Sequence, residues 1–248
     1  MTKITIGIVG YGRFGALLET IVQEHCPSAQ LKIFSLDQAI DKKTFFSLED
    51  TCSVDYLVLA VPIRSLVACL EQVQHLVSEH TTVIDVCSVK QFPKDQMLTI
   101  LPPGGTIICS HPMFGPSTYN SKRLKSAPPL KNLKIVVELA RGSEQRFNTV
   151  KAFCEKLGLQ VIEMDAAQHD QMAAHFHFVS LSAASILKPL QLQKTDISTA
   201  SADVLVEFLD MISTSESLLV DMYQFNPFCK QYLTMMKNSI SEYLRLFE

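Results

Sequence analysis

The sequence predicts an α/β protein: a doubly wound parallel sheet followed by an all-helical C-terminal dimerisation domain. Three observations carry this. Seven short runs rich in Val and Ile alternate with helical patterns through the first two-thirds of the chain, which is the β-α-β signature. A glycine-rich loop, GYGRFG (10–15), follows the first run. Past Gly158 there is no glycine and only two prolines, Pro189 and Pro227, and from Asp165 onward the pattern is helical.

Taken in order, the runs are ITIGIV (4–9), LKIF (31–34), YLVLAV (56–61), TVIDV (82–86), TIICS (106–110), KIVVEL (134–139) and QVIEM (160–164). Near-continuous apolar runs of this length suit strands buried on both faces of a parallel sheet. Helical patterns lie between several of them, at 14–25, 64–79 and 143–157. The C-terminal part reads as helices at 166–188, 200–212, 215–223 and 227–246. The expected domains are therefore 1–164, binding a dinucleotide, and 165–248, for substrate and dimerisation. Roughly 80 helical residues make a thin core by themselves, so these helices are expected to pack on a second copy of the chain.

Composition excludes several classes. A net charge of −3 leaves no basic footprint for nucleic acid. No apolar run approaches the roughly 20 residues of a membrane helix, and the start, MTKITIGIVG, lacks the pattern of a secretory signal. The seven cysteines are dispersed without a C-x-x-C, which reads as reduced thiols in a cytoplasmic protein. No metal site is expected.

Gly10, Gly12 and Gly15 form G-x-G-x-x-G directly after a strand and at the start of a helix. In the Rossmann fold the first glycine permits a tight turn. The second lets the backbone approach a pyrophosphate, and the third lets the helix pack on the strand. The helix N-terminus then offers free N–H groups to phosphate. Gly10, Tyr11, Gly12, Arg13, Phe14 and Gly15 are the candidate cofactor-binding loop, with Arg13 within reach of phosphate. An acidic residue at the end of the second strand binds the adenine ribose. Asp37, 22 positions after Gly15, fills that role and favours NAD, because a carboxylate repels a 2′-phosphate. A register ending on Ser35 would instead tolerate NADP.

Ligands of open α/β sheets bind beyond the carboxyl ends of the strands. After the third strand, Val61 and Pro62 are candidates to line the nicotinamide side. After the fourth comes DVCSVK (85–90), and after the fifth SHPMFGP (110–116). His111 precedes Pro112, which biases it toward extended geometry. A histidine is suited to accept a proton as hydride leaves an alcohol carbon. Ser88, on the neighbouring strand end, can hydrogen-bond the same oxygen, or alternatively cap a helix beginning at VKQF.

These pieces resemble the prephenate/arogenate dehydrogenases of tyrosine biosynthesis. GYGRFG (10–15), DVCSVK (85–90), HPMFGP (111–116) and AQHDQMAA (167–174) fall in that family's order. The wording HPMFGP, with a later DMYQFN (221–226), looks closer to its plant-like arogenate branch. The resemblance implies oxidative decarboxylation of a cyclohexadiene bearing a ring hydroxyl and a ring carboxylate. His111 would take the hydroxyl proton while hydride passes to NAD, or NADP. Carbon dioxide leaves and the ring becomes aromatic, giving tyrosine or 4-hydroxyphenylpyruvate. Ser88 would hold the hydroxyl or the carboxamide, and Lys90 matches the family's lysine.

In that family a polar residue eight after the His of His-Asp points at substrate, here His177, while His169 and Asp170 open the helix. At 100° per residue, His169 and His177 lie about 80° apart, and His175 and His177 nearly opposite. Many bacterial members bind the substrate carboxylate through a C-terminal arginine. After Arg146 this chain has only Arg245, so Lys122 or Arg123 of SKRLK (121–125) is the candidate instead. A second reading is a β-hydroxyacid or imine-reductase type enzyme, whose base is a helical lysine. A third is a dinucleotide-sensing protein without turnover.

Overall fold

The computed structural model describes residues 3–36, 43–119, 130–212 and 216–248. The chain divides into two compact units, Met1–Ala166 and Ala167–Glu248.

In the first unit the elements run β1 (Thr5–Val9), α1 (Arg13–His25), β2 (Gln30–Phe34), α2 (Leu48–Cys52), β3 (Tyr56–Leu59), α3 (Leu66–Val73), β4 (Thr82–Asp85), α4 (Gln91–Ile100), β5 (Thr106–Pro112), α5 (Pro116–Tyr119), β6 (Lys134–Arg141), α6 (Glu144–Lys156) and β7 (Gln160–Glu163). All seven apolar runs become strands of one sheet, in the order β2-β1-β3-β4-β5-β6-β7. The chain steps one way from β1 to β2 and the other way to β3. The switch point of a doubly wound fold, where ligands bind, is therefore at the carboxyl ends of β1 and β3.

The runs are continuous because both faces are covered. Val83 and Ile107 pack with Leu66, Leu70, Val73 and Met97 on one side. Their neighbours Ile84 and Ile108 pack with Leu17, Ile21, Phe147 and Cys154 on the other. Strand alternation thus divides each run between two cores.

In two details the structure differs from the sequence expectation within this fold class. β6 runs antiparallel to β5 and β7 parallel to β6, so the sheet is mostly rather than wholly parallel. A parallel pair needs a crossover, usually a helix. Between β5 and β6 the only helix among the described residues is the four-residue α5, and an antiparallel return needs none. The second detail is α4, which the periodicity did not mark. It begins at Lys90, not Ser88, as N-cap.

The second unit continues α7 (Ala166–Ala173) through one turn with π-type hydrogen bonding (Ala174–Phe178) into α8 (Val179–Leu187). α9 (Ala200–Met211), α10 (Glu216–Phe225) and α11 (Cys229–Leu244) follow. No helix among the described residues is long and apolar enough to cross a membrane.

Candidate functional site

The glycine loop has the geometry its sequence implies. Gly10 has φ +103°, and a Cβ there would meet the Ala60 carbonyl oxygen at 2.6 Å. A Cβ on Gly15 would meet the Gly10 carbonyl oxygen at 2.2 Å, so a side chain would push α1 off β1. A Cβ on Gly12 would meet nothing within 4 Å. The backbone at Gly12, the N-cap of α1, thus faces open space, with the helix N-terminus aimed into it. This three-way division fits a pyrophosphate approached by bare backbone.

Around the loop, Arg13 is exposed and donates to the Ser117 hydroxyl at 3.3 Å. Phe14 packs 6.3 Å from Phe114, centroid to centroid, and Tyr119 donates to Glu24 at 2.9 Å. The segment after His111 is therefore laid along α1 beside the glycine loop. Val61 is half-buried against the core and Pro62 is exposed at the mouth of the following turn. Asp37, Lys122 and Arg123 lie outside the described residues.

His111 is buried, 3% exposed, and lies within β5 rather than beyond it, in register with Val136 of β6. Ser88 is half-buried in the loop after β4. β4 and β5 are hydrogen-bonded neighbours with Asp85 opposite Cys109. The loop carrying Ser88 and the strand end carrying His111 thus issue side by side.

What joins them is a residue that sequence reasoning missed. Asp85, at the end of β4, is wholly buried. Its carboxylate accepts from the Cys87 N–H at 3.0 Å, from the Ser110 N–H at 3.2 Å and from the Lys90 ammonium. Lys90, 2% exposed, also donates to the Ser110 carbonyl at 2.6 Å. The Ser110 hydroxyl closes the set on the Asp85 carbonyl at 2.6 Å. Burial is the largest influence on Lys90 and would lower its pKa, but the Asp85 charge and hydrogen bond, together with the neighbouring Cys87 and Cys109, hold the ammonium above its ordinary 10.5. Burial, reinforced by Asp85, also pushes the Cys109 thiol well up, so it stays protonated. The available signal was Asp85 itself: a carboxylate ending an otherwise apolar strand, five residues before a lysine.

In the second unit His169 Nδ1 and Asp170 Oδ1 are 2.8 Å apart, and both residues are buried. The Asn226 amide donates to the Asp170 carbonyl at 2.8 Å and accepts from the Phe228 N–H at 3.0 Å. Asn226 of DMYQFN therefore anchors the helix that holds the pair. Burial, and then the proximity of His169, holds the His177 pKa below its ordinary 6.5. His175 is exposed and stacks on Tyr232 at 5.2 Å. The π turn explains how His177 comes near His169. It inserts about one residue without advancing the helix face, so eight residues span the rotation of about seven, and the separation shrinks from about 80° to about 20°.

A family model described as prephenate dehydrogenase, nucleotide-binding domain, matches residues 24–163. The match begins inside α1, beyond the glycine loop, which the backbone geometry identifies independently. Arogenate dehydrogenase 1, chloroplastic, of Arabidopsis thaliana is 29% identical over 234 residues, 91% of this chain and 36% of the relative. Arogenate dehydrogenase 2, chloroplastic, from the same plant is 26% identical over 234 residues, 91% of this chain and 65% of the relative. The chain thus spans roughly a third to two-thirds of the length of these relatives. Among solved structures, prephenate dehydrogenase from Aquifex aeolicus, in complex with hydroxyphenyl propionate and NAD+, superposes with a TM-score of 0.74. It covers 100% of this chain and 91% of that one at 16% identity, a likeness of fold.

Proposed function

The chain belongs to the prephenate dehydrogenase family, and from that premise we propose that it catalyses the oxidative decarboxylation of arogenate or prephenate with NAD(P). The single observation that carries this is the juxtaposition at the sheet's carboxyl edge. A buried His111 on β5 lies beside the Ser88 loop, in the same unit as a glycine loop built to admit a pyrophosphate.

The bound dinucleotide would supply the hydride acceptor. The protein's own residues do the rest. Gly10, Gly12, Gly15 and the N-terminus of α1 bind the pyrophosphate, with Tyr11, Arg13 and Phe14 in the same loop. Val61 and Pro62 flank the nicotinamide side. His111 accepts the proton of the ring hydroxyl, so that the C–O bond gains double-bond character as hydride departs. Ser88 donates a hydrogen bond that orients the same oxygen. Loss of carbon dioxide and aromatisation then make the step effectively irreversible. Lys122 or Arg123 supplies the cation for the ring carboxylate, and His177 and His169 of the helical unit contact substrate. Asp37 binds the adenine ribose hydroxyls and sets a preference for NAD.

Support for arogenate comes from the names of the curated relatives. The test is absorbance at 340 nm with NAD or NADP against each substrate in turn. Reduced nucleotide should accumulate with at least one pairing, NAD ahead of NADP. No turnover with any of the four pairings would reject the activity.

The helical unit is also expected to pair with a second copy. Val204, Met211, Val220, Leu233, Met235 and Ile240 are all exposed large apolar side chains on its helices, the kind of side chain that association would cover. Light scattering should give twice 27.7 kDa; a monomer at micromolar concentration would reject the pairing. The seven cysteines are all free thiols and five are buried, which suits a reducing compartment such as the cytoplasm.

A further inference from the structure

Glu19 lies two turns into α1 and is buried, 6% exposed, on the side of the helix that carries Gly15 and Val22 and roughly opposite Leu17 and Ile21. A buried carboxylate is costly unless hydrogen-bonded, and this one gathers donors from its own helix and from two other pieces of chain. The Tyr11 hydroxyl donates to it at 2.5 Å, the Thr44 hydroxyl at 2.9 Å and the Gln23 amide at 3.2 Å. Tyr11 is the residue between the first two glycines of the loop. Thr44 belongs to a short segment that rejoins the sheet beside β2. There the Ile33 N–H donates to the Thr44 carbonyl at 2.7 Å, and the Phe46 N–H to the Ile33 carbonyl at 2.9 Å. Phe45 of that segment meets the Tyr11 ring edge-on, centroids 5.0 Å apart. The glycine loop is itself tied to β2, the Gly10 N–H donating to the Phe34 carbonyl at 2.9 Å.

The tip of β2 and the first glycine turn are the two walls between which the adenosine half of a dinucleotide lies in this fold. We infer that Glu19 is a positioning residue for that half of the coenzyme, acting through Tyr11 and Thr44 to hold the two walls in register. Its carboxylate acts through other side chains, not on the reacting atoms. It reaches the glycine loop through a phenol and the segment beside β2 through a hydroxyl. Neither wall has another buried anion among the described residues to replace it. The consequence is specific: loosening this knot weakens binding of the adenosine end and leaves the chemical step alone.

The inference rests on the dinucleotide-binding reading, and the test separates the two. In the full chain, Tyr11→Phe and Thr44→Val each remove one donor while keeping shape, and Glu19→Gln keeps an acceptor where Glu19→Ala does not. Calorimetric Kd values are measured for NAD+, NADP+ and ADP-ribose, with Tm and the split between KM and kcat alongside. Tyr11→Phe and Thr44→Val should each raise Kd for ADP-ribose and the preferred dinucleotide about 3- to 10-fold, the span of an ordinary hydrogen bond, because each acts on the coenzyme only through the loop it holds. KM for the dinucleotide should rise with it, and in Thr44→Val kcat should stay within about twofold. The two effects should be coupled, the double variant falling short of their product, because both act on one carboxylate. Glu19→Gln should weaken binding less than Glu19→Ala. A lowered Tm with unchanged Kd, or a fall in kcat with unchanged Kd, would overturn the inference. A wild-type chain that binds none of the three nucleotides would overturn the underlying reading with it.

Discussion

Replacing His111 with asparagine should lower kcat by about 10²–10⁴-fold, the usual contribution of a general base, while KM changes far less. The reason is where the imidazole is needed. The ring hydroxyl is not acidic in the ground state; its proton becomes labile only as hydride departs. An interaction made chiefly in the transition state lowers kcat and kcat/KM together when removed. The structure gives this side chain a fixed frame. His111 is buried within β5, between β4 and β6, and Ser110 before it is held on both backbone groups by Asp85 and Lys90. Asparagine retains a polar side chain of similar reach without a group able to accept the proton. An imidazole base works only when neutral, so wild-type activity should decline on the acid side. That decline should be absent from the residual activity of the variant. A His111→Asn enzyme with near-normal kcat and the same acid limb would move the base elsewhere, with His177 and then His169 next to test.

The second large effect is expected at the buried ion pair. Asp85→Asn or Lys90→Met should each destabilise the protein by about 3–5 kcal/mol, the cost of stranding a charge in the interior. For a chain of this size that is a fall in Tm of roughly 6–20 °C. The Asp85 carboxylate accepts from two backbone N–H groups and an ammonium, and the ammonium also serves the Ser110 carbonyl. Removing either partner leaves the other without its countercharge in a site with almost no access to water. The double variant Asp85→Asn/Lys90→Met removes both charges and should be less destabilised than the sum of the singles. The folded fraction of each single variant should also turn over slowly, because Asp85 and Lys90 together set the spacing between the Ser88 loop and His111. Thermal unfolding of the three variants decides the matter. Single variants within about 1 kcal/mol of wild type would show that the pair is not the tie between β4 and β5.

Much of the fold was legible in the sequence. Burial on both faces leaves a continuous apolar run, and seven such runs became seven strands. The glycine loop was legible for a similar reason. Three glycines at fixed spacing between a strand and a helix answer three local steric demands, and the distances to Ala60 and Gly10 are those demands met. The change of composition after Gly158 marked the helical unit, because helices exclude glycine and proline by backbone propensity alone. Chain-local arguments also brought His111 and Ser88 to notice, since each follows a strand whose end the pattern locates.

Other features depend on residues distant in sequence, and only the tertiary structure decided them. The direction of β6 is a matter of what the chain does between 113 and 133. The observed pairing of β6 with β5 decides that direction. Asp85 looked like a strand terminus until Ser110, 25 residues away, was seen to pair with it. Tyr11, Glu19 and Thr44 share one carboxylate across 33 residues. An ideal helix put His169 and His177 about 80° apart, and one π turn closed most of that angle, a local rewinding that periodicity cannot foresee. Hydrophobic burial is repetitive along the chain and leaves a periodic trace. A buried polar group is satisfied by whichever partner the fold happens to deliver, and that choice leaves no period in the sequence to read.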